Sequence, residues 1–262
     1  MVLLRGSRFS PKRTDTNKAV NIEGRGLSVK SRHYFSMSFI VAAAHLASEA
    51  KRIEDGYDGV SNEYLQEHHV LHRGLVVAAV VSSASCLEAW INEFFSDADE
   101  PHVATLKPLS ESIRETMAGL WNLGIPRTAK YSILEKYNIA YFVIKNKKLD
   151  MSRNPAQDVG CLVQLRNALV HYEPNWQEHE SIAKDAHRLE KIMKSRISIC
   201  NKLTGGPNPF YPDKLLGYGC AKWAVETSVN FINNFCNDIG VLPPYQNIEL
   251  SLELQRIART NP

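Results

Sequence analysis

The segment from Ser61 to Asp97 keeps its apolar residues on a helical rather than a strand period. Leu65, Leu71, Leu75, Val80, Ala84, Leu87, Ile91 and Phe94 carry that period. Ser61 has the side chain that caps a helix start. Val76-Val77-Ala78-Ala79-Val80-Val81 is rich in β-branched residues, but it is embedded in the same pattern with no turn signal on either side. A helix this long is covered by laying further helices along it. No other segment alternates convincingly with a period of two. The fold class expected is therefore all-α, an antiparallel bundle of about five to seven helices.

The remaining punctuation divides the chain accordingly. A helix is expected from about Arg32 to Asp55, ended by Gly56-Tyr57-Asp58-Gly59. Pro101 and Pro108 mark a loop, and shorter helices are expected over Leu109–Leu123 and from Pro126 to about Asn146. Asn154-Pro155 opens a helix to about Tyr172, and Pro174 stops it. Two more are expected, from Trp176 to about Leu203 and from Lys214 to about Asp238, separated by the break Gly205-Gly206-Pro207-Asn208-Pro209. With 262 residues, 44% of them hydrophobic, the chain is long enough to bury a sizeable core. The apolar runs Tyr34–Ser48 and Gly74–Leu87 read as core helices rather than membrane spans. Five cysteines without a C-x-x-C pair read as buried free thiols of a reducing compartment, so a cytoplasmic protein is expected.

Charge is distributed unevenly. Residues 1–32 hold eight basic side chains against two acidic ones, while the whole chain carries only +3. Residues 1–31 therefore read as a basic flexible arm able to touch phosphates non-specifically, 32–240 as the helical domain and 241–262 as a C-terminal tail. The arm is Arg-rich and acid-poor, but it lacks the amphipathic helix of a mitochondrial-type transit peptide.

Chemistry concentrates in the helix opened by Pro155. At about 100° per residue its apolar stripe is Val159, Leu162, Val163, Leu169 and Val170, with Arg166 at its centre. An arginine there needs an anion nearby, because it cannot escape by deprotonation. Asn167 and His171 are four apart and share a face. Histidine moves protons near neutrality, and arginine holds phosphate through a planar fork. The combination suits phosphodiester chemistry. Glu88 has two readings. It pairs with Arg166 or, with Asn92, adds a polar wall to the site; otherwise it forms an internal ion pair that fixes the bundle.

Arg166-Asn167-Ala168-Leu169-Val170-His171 resembles the Arg-polar-x-x-x-His motif of the HEPN superfamily. Ser85-Cys86-Leu87-Glu88-Ala89-Trp90-Ile91-Asn92 is similar to a helix of many such proteins. The resemblance covers roughly Ser61 to Asp238. It implies a homodimer that brings two motifs together, and a metal-independent endoribonuclease leaving a cyclic phosphate, as found in toxins and phage-defence effectors. His171 would be the acid/base, Arg166 the phosphate ligand, and Asn167 an orienting group, with Tyr172 beside them. RNA is the implied substrate, and an antitoxin or nucleotidyltransferase a possible partner. Many relatives are inactive RNA- or nucleotide-binding or interaction modules, which is the alternative function. A third reading is a helical protein unrelated to RNA.

Other polar residues read more simply. His68 and His72 have a metal-compatible spacing, but no third ligand accompanies them, so neither metal nor cofactor is expected. His179 and His187 read as surface residues. Trp90, Trp121, Trp176 and Trp223 read as core or interface, and Cys161 lacks a base partner.

Overall fold

A computed structural model describes residues 19–23, 26–30, 32–100, 106–127, 130–173, 184–243 and 245, with side chains described outside 19–30 and 184–188. The chain forms two units, residues 1–34 and 35–262. In the first unit, β1 (Ala19–Glu23) and β2 (Gly26–Lys30) pair as an antiparallel hairpin, with Val20 opposite Val29 and Ile22 opposite Leu27. The hairpin occupies residues 19–30 of the segment read from sequence as a basic flexible arm. Val20/Ile22 and Leu27/Val29 each alternate over too few residues to stand out from the surrounding charge. Residues 1–18 lie outside the described residues.

The second unit is all-helical among its described residues. It contains α1 (Ser36–Asp55), α2 (Asn62–Asp97), α3 (Glu111–Asn122), α4 (Ile133–Lys145), α5 (Ala156–Val170), α6 (Lys184–Lys194), a short π-helical turn (Phe210–Lys214) and α7 (Tyr218–Ile239). The long helix expected from Ser61 is α2, and the Ser61 hydroxyl accepts the Tyr64 N–H at 3.1 Å. It packs against α1, α7, α5, α3 and α4.

Hydrogen bonds at its two ends fix the direction of α1. Glu93, near the end of α2, takes the Phe35 and Ser36 N–H groups at 2.7 and 2.9 Å, which caps the start of α1. At the other end, the Tyr64 hydroxyl donates to the Ile53 carbonyl at 2.8 Å. The two helices are therefore antiparallel. Ile40, Ala43, Ala44, Ala47 and Ala50 are fully buried on α1, whose four alanines there allow close packing on α2, where Val76, Ala79, Val80 and Leu87 are fully buried. Trp90, Phe94, Tyr137, Phe231 and Phe235 close the core between α2, α4 and α7, and Tyr137 meets Phe231 edge-on at 4.7 Å between ring centroids. α2 is the one helix among the described residues long and apolar enough to cross a membrane, and half of its apolar window is buried inside the bundle.

Several boundaries differ from expectation. α4 begins at Ile133 rather than Pro126, because Ser132 and Glu135 form a reciprocal capping box there. α5 ends at Val170. Among the described residues of the helix expected over 176–203, Lys184–Lys194 are helical; residues 174–183, including Trp176 and His179, lie outside the described residues, as does the side chain of His187. The last helix begins at Tyr218, after the π-helical turn. The tail begins docked: Val241 is buried, and the Tyr245 hydroxyl donates to the Val229 carbonyl and meets Asn233. Residues 246–262 lie outside the described residues.

The start of α7 is held by close backbone contact. A Cβ on Gly219 would lie 2.3 Å from the Ile199 carbonyl oxygen, and one on Gly217 would lie 2.5 Å from the Asn201 Cα. These obstacles are backbone or sit at its root, so neither can swing away. Gly219→Ala is expected to lower stability by about 1–3 kcal/mol, the usual cost of overpacking, as a drop in the urea midpoint at unchanged slope. An unchanged midpoint would mean that this contact is loose.

Candidate functional site

α5 buries Ala156, Val159, Cys161, Leu162 and Leu165. The buried face is therefore turned slightly from the stripe read in the sequence. Val170 is exposed, Val163 and Leu169 are half-buried, and Arg166 lies at the margin of the face rather than at its centre. The turn follows from the partners of α5, which packs on α2 and α7 on one side and on α4 and α6 on others. Asp158 in its first turn accepts from Arg196 Nε at 2.8 Å, which ties the residues after α6 to α5.

Arg166 is about a quarter exposed, and its Nη2 lies 4.0 Å from Glu88 Oε2, the outer limit of an ion pair. The other carboxylate oxygen of Glu88 is held more firmly: it accepts from Lys136 Nζ at 2.9 Å. Lys136 is 1% exposed and also donates to Asn92 Oδ1 at 3.1 Å. Three helices thus converge on one polar cluster, with α2 contributing Glu88 and Asn92, α4 Lys136, and α5 Arg166. Both sequence readings of Glu88 apply in part. It is the anion near Arg166, and it also pins α4 to α2. The Asn92 oxygen is turned to Lys136, so it serves the buried lysine rather than forming a free polar wall.

Lys136 is the residue that sequence reasoning missed. Its signal was present. It follows Ile133 by three and precedes Ala140 by four, which puts it on the buried face of an apolar helix. A charge there requires a partner from elsewhere. Because Glu88 is more than a third exposed, solvent screens part of its pairing. Glu88→Ala is expected to cost about 1–3 kcal/mol by leaving Lys136 with Asn92 alone. The same substitution in a Lys136→Met background should cost much less, read by urea unfolding as a double-mutant cycle. Equal costs in both backgrounds would remove Glu88 as the lysine's partner.

His171 is the C-cap of α5. Its N–H still bonds to the Asn167 carbonyl at 2.9 Å, but its φ and ψ of −105° and 37° leave the helix, so its side chain departs from the helical direction. Asn167 and His171 are both exposed, and neither side chain has a hydrogen-bond partner among the described residues. Tyr172 is also exposed. Burial, and to a lesser degree the nearby Tyr172, pushes the Tyr211 phenol up.

The other candidates resolve into the fold. His68 Nδ1 donates to the Tyr64 carbonyl at 3.0 Å and its ring stacks on Tyr64, while His72 is buried against Glu54. Among the described residues no three His, Cys, Asp or Glu side chains are grouped to hold a metal. Cys86, Cys161, Cys220 and Cys236 are buried free thiols and Cys200 is exposed. Burial pushes the Cys161 thiol up against the opposing pull of Arg196, and pushes Cys220 up to about 12. None of these four buried thiols is a ready nucleophile. Trp90 is core, and Trp121 and Trp223 are packed at its edge.

What the fold defines is a class, an all-α helical bundle with a mixed-charge cluster at the margin of its fifth helix. No family model, no curated protein and no solved structure matches the chain.

Proposed function

We propose that the protein is a HEPN-like, metal-independent endoribonuclease whose site is Arg166, Asn167 and His171. The observation that carries this reading is charge accounting. The cluster holds two cations, Lys136 and Arg166, against one carboxylate, Glu88. Glu88 is at hydrogen-bond distance from Lys136 and only at the limit of reach from Arg166, so positive charge is left over on the more exposed partner. A phosphodiester supplies the missing anion. An unengaged histidine five residues along, at a helix end, supplies the proton transfer.

In this reading the RNA 2′-hydroxyl gives its proton to His171 as it attacks the adjacent phosphorus. The phosphate oxygens lie against Arg166. The P–O5′ bond breaks, the leaving 5′-oxygen takes a proton from solvent water, and the product carries a 2′,3′-cyclic phosphate. Asn167 orients His171 or the phosphate. Val170 and Tyr172, about half exposed on either side of His171, give this end of α5 an apolar border that a second copy would cover. A homodimer pairing two motifs fits that border. A role as a toxin or phage-defence effector, with an antitoxin or nucleotidyltransferase as partner, belongs to the same proposal.

The second reading, an RNA- or nucleotide-binding or protein-interaction module without cleavage, draws on the same cluster, because its excess positive charge suits phosphate binding whether or not His171 moves a proton. Purified protein incubated with mixed RNA in EDTA separates them. The nuclease reading expects cleavage with cyclic phosphate ends, lost in Arg166→Ala while circular dichroism stays native. Intact RNA across several substrates, with a gel shift that Arg166→Ala weakens, would leave the binding module standing. Cleavage that survives the substitution would sink the site assignment.

A further inference from the structure

α4 ends in a run of cations that no carboxylate balances. Lys145, Lys147 and Lys148 are exposed, and none has a hydrogen-bond or ion-pair partner among the described residues. The next cation along, Arg153, does have one: its Nε lies 3.4 Å from Asp150 Oδ2. Asp150 is the one carboxylate between Glu135 and Asp158, so nothing else in this stretch of chain offsets the lysines. The chain beyond residue 32 is net acidic, which sets the run apart from the rest of the domain. The helix dipole at the end of α4 compensates only about half a charge.

The run is held in place. Asn146 takes a left-handed conformation, φ 52° and ψ 34°, that ends the helix, and its N–H bonds to the Phe142 carbonyl at 2.8 Å. The lysines therefore stand on both sides of a fixed turn. Leu149 is partly buried and donates its N–H to Asn138 Oδ1 at 2.8 Å, which ties the connection back to α4. The Ser152 N–H and hydroxyl both donate to Asp150 Oδ1, at 2.9 and 2.6 Å. Lys145 and Lys148 are separated by at most about 10 Å of chain, so the three charges fall on one short path. A polyanion meeting them orders side chains but not the backbone, which keeps the cost of binding low.

An aromatic ring stands beside the charges. Phe142 is three residues before Lys145, a spacing that puts both on one face of α4, and it is 51% exposed. Ile133, Tyr137 and Ala140 are buried in the bundle, so α4 has no broad apolar face left to lay on a lipid surface. One open ring beside a short path of cations suits a single nucleic-acid strand, whose bases stack on the ring while its phosphates meet the lysines. In a duplex the base faces are covered by one another, and the ring gains nothing.

We propose that Phe142, Lys145, Lys147 and Lys148 form a docking surface for single-stranded RNA, separate in its residues from the Arg166 cluster. Lys136 serves that cluster from the buried face of α4, and the docking surface takes the outer face of the same helix. That the strand is RNA rests on the function proposed above. That it is a single polyanionic strand rests on the ring and the charges. Contacts to phosphates and to a base face add affinity without reading sequence.

The test is fluorescence anisotropy of the full chain with a labelled 2′-O-methyl oligouridine over a series of salt concentrations. That probe has no 2′-hydroxyl to attack, so it reports binding without cleavage. Wild type is compared with Phe142→Ala, with the double variant Lys147→Gln/Lys148→Gln, and with Arg166→Ala. The double variant should flatten the slope of log affinity against log salt by about 1.4, from about 0.7 for each lost phosphate contact. Phe142→Ala should weaken binding about tenfold at unchanged slope. The side chains replaced on α4 and after it are exposed, so circular dichroism should stay native. Lysine and phenylalanine variants that bind as wild type does overturn the proposal, and if Arg166→Ala alone weakens binding the α5 site survives that result. If the α4 variants weaken binding and Arg166→Ala does not, the docking surface stands and Arg166 loses its role as a phosphate ligand. A wild type that binds no oligouridine, or binds phosphatidylserine vesicles in its place, also overturns the proposal, and cleavage in EDTA then judges the α5 site by itself.

Discussion

His171→Ala is expected to lower RNA cleavage by about 10²–10⁴-fold, the usual share of general acid–base catalysis, while leaving the fold intact. The tolerance of the fold follows from the geometry. His171 is exposed, it sits beyond the last helical residue, and the hydrogen bond it gives to the Asn167 carbonyl comes from its backbone. Alanine keeps that bond. Arg166→Ala differs in kind, because it removes charge from the Glu88 cluster and should weaken RNA binding as well as turnover. Wild-type rates in His171→Ala, at any pH, would exclude this histidine from the chemistry.

Glu54→Ala is the substitution expected to cost most in stability, about 3–5 kcal/mol. Glu54 and His72 are 2% and 1% exposed, so the alanine variant leaves both the imidazole and the Tyr218 N–H buried without their acceptor. Three helices meet at that one oxygen: α1 supplies it, α2 brings His72, and α7 brings its first N–H. Glu54→Gln keeps one neutral acceptor in place and should cost clearly less. Urea unfolding of the three proteins checks the order. A loss below about 1 kcal/mol in Glu54→Ala would mean that water replaces the carboxylate, and that the junction is wetter than its burial indicates.

Much of the architecture is legible in the chain as a pattern. α2 follows from one long period and one capping serine, and it ends at the expected Asp97. α1 and α7 end where glycines punctuate them, at Gly56 and Gly240. The start of α4 was also written locally, in Ser132 and Glu135, but Pro126 is a louder signal in the same stretch. The hairpin at 19–30 was harder, because four apolar residues in two short strands do not outweigh the basic residues around them. The helix expected to reach Leu203 breaks after Lys194 instead. The Asn201 N–H there bonds to the Lys214 carbonyl, and Gly217 and Gly219 demand close backbone approach.

The sites divide in the same way. Arg166, Asn167 and His171 were picked out by their spacing and by the resemblance that the spacing carries, and Glu88, singled out as an anion for Arg166, lies 4.0 Å from it. Lys136 was passed over, although its own helix marks it as buried, because a buried charge becomes intelligible only with its partners. Those partners lie 48 and 44 positions away in the chain. The Glu54 junction spans 18 positions to His72 and 164 to Tyr218.

By itself, then, the sequence determined where most of the helices lie, which face of each is apolar, and that an arginine and a histidine stand five residues apart at the end of α5. These are matters of near neighbours, and the helical repeat of 3.6 residues makes them readable along a line. The tertiary structure alone decided how far α5 turns on its neighbours, how Glu88 is shared between Lys136 and Arg166, and that Glu54 anchors His72 and the start of α7. Those outcomes depend on the packing of whole helices against one another, where a rotation of a few tens of degrees decides whether a side chain is core or surface. No local period carries that angle.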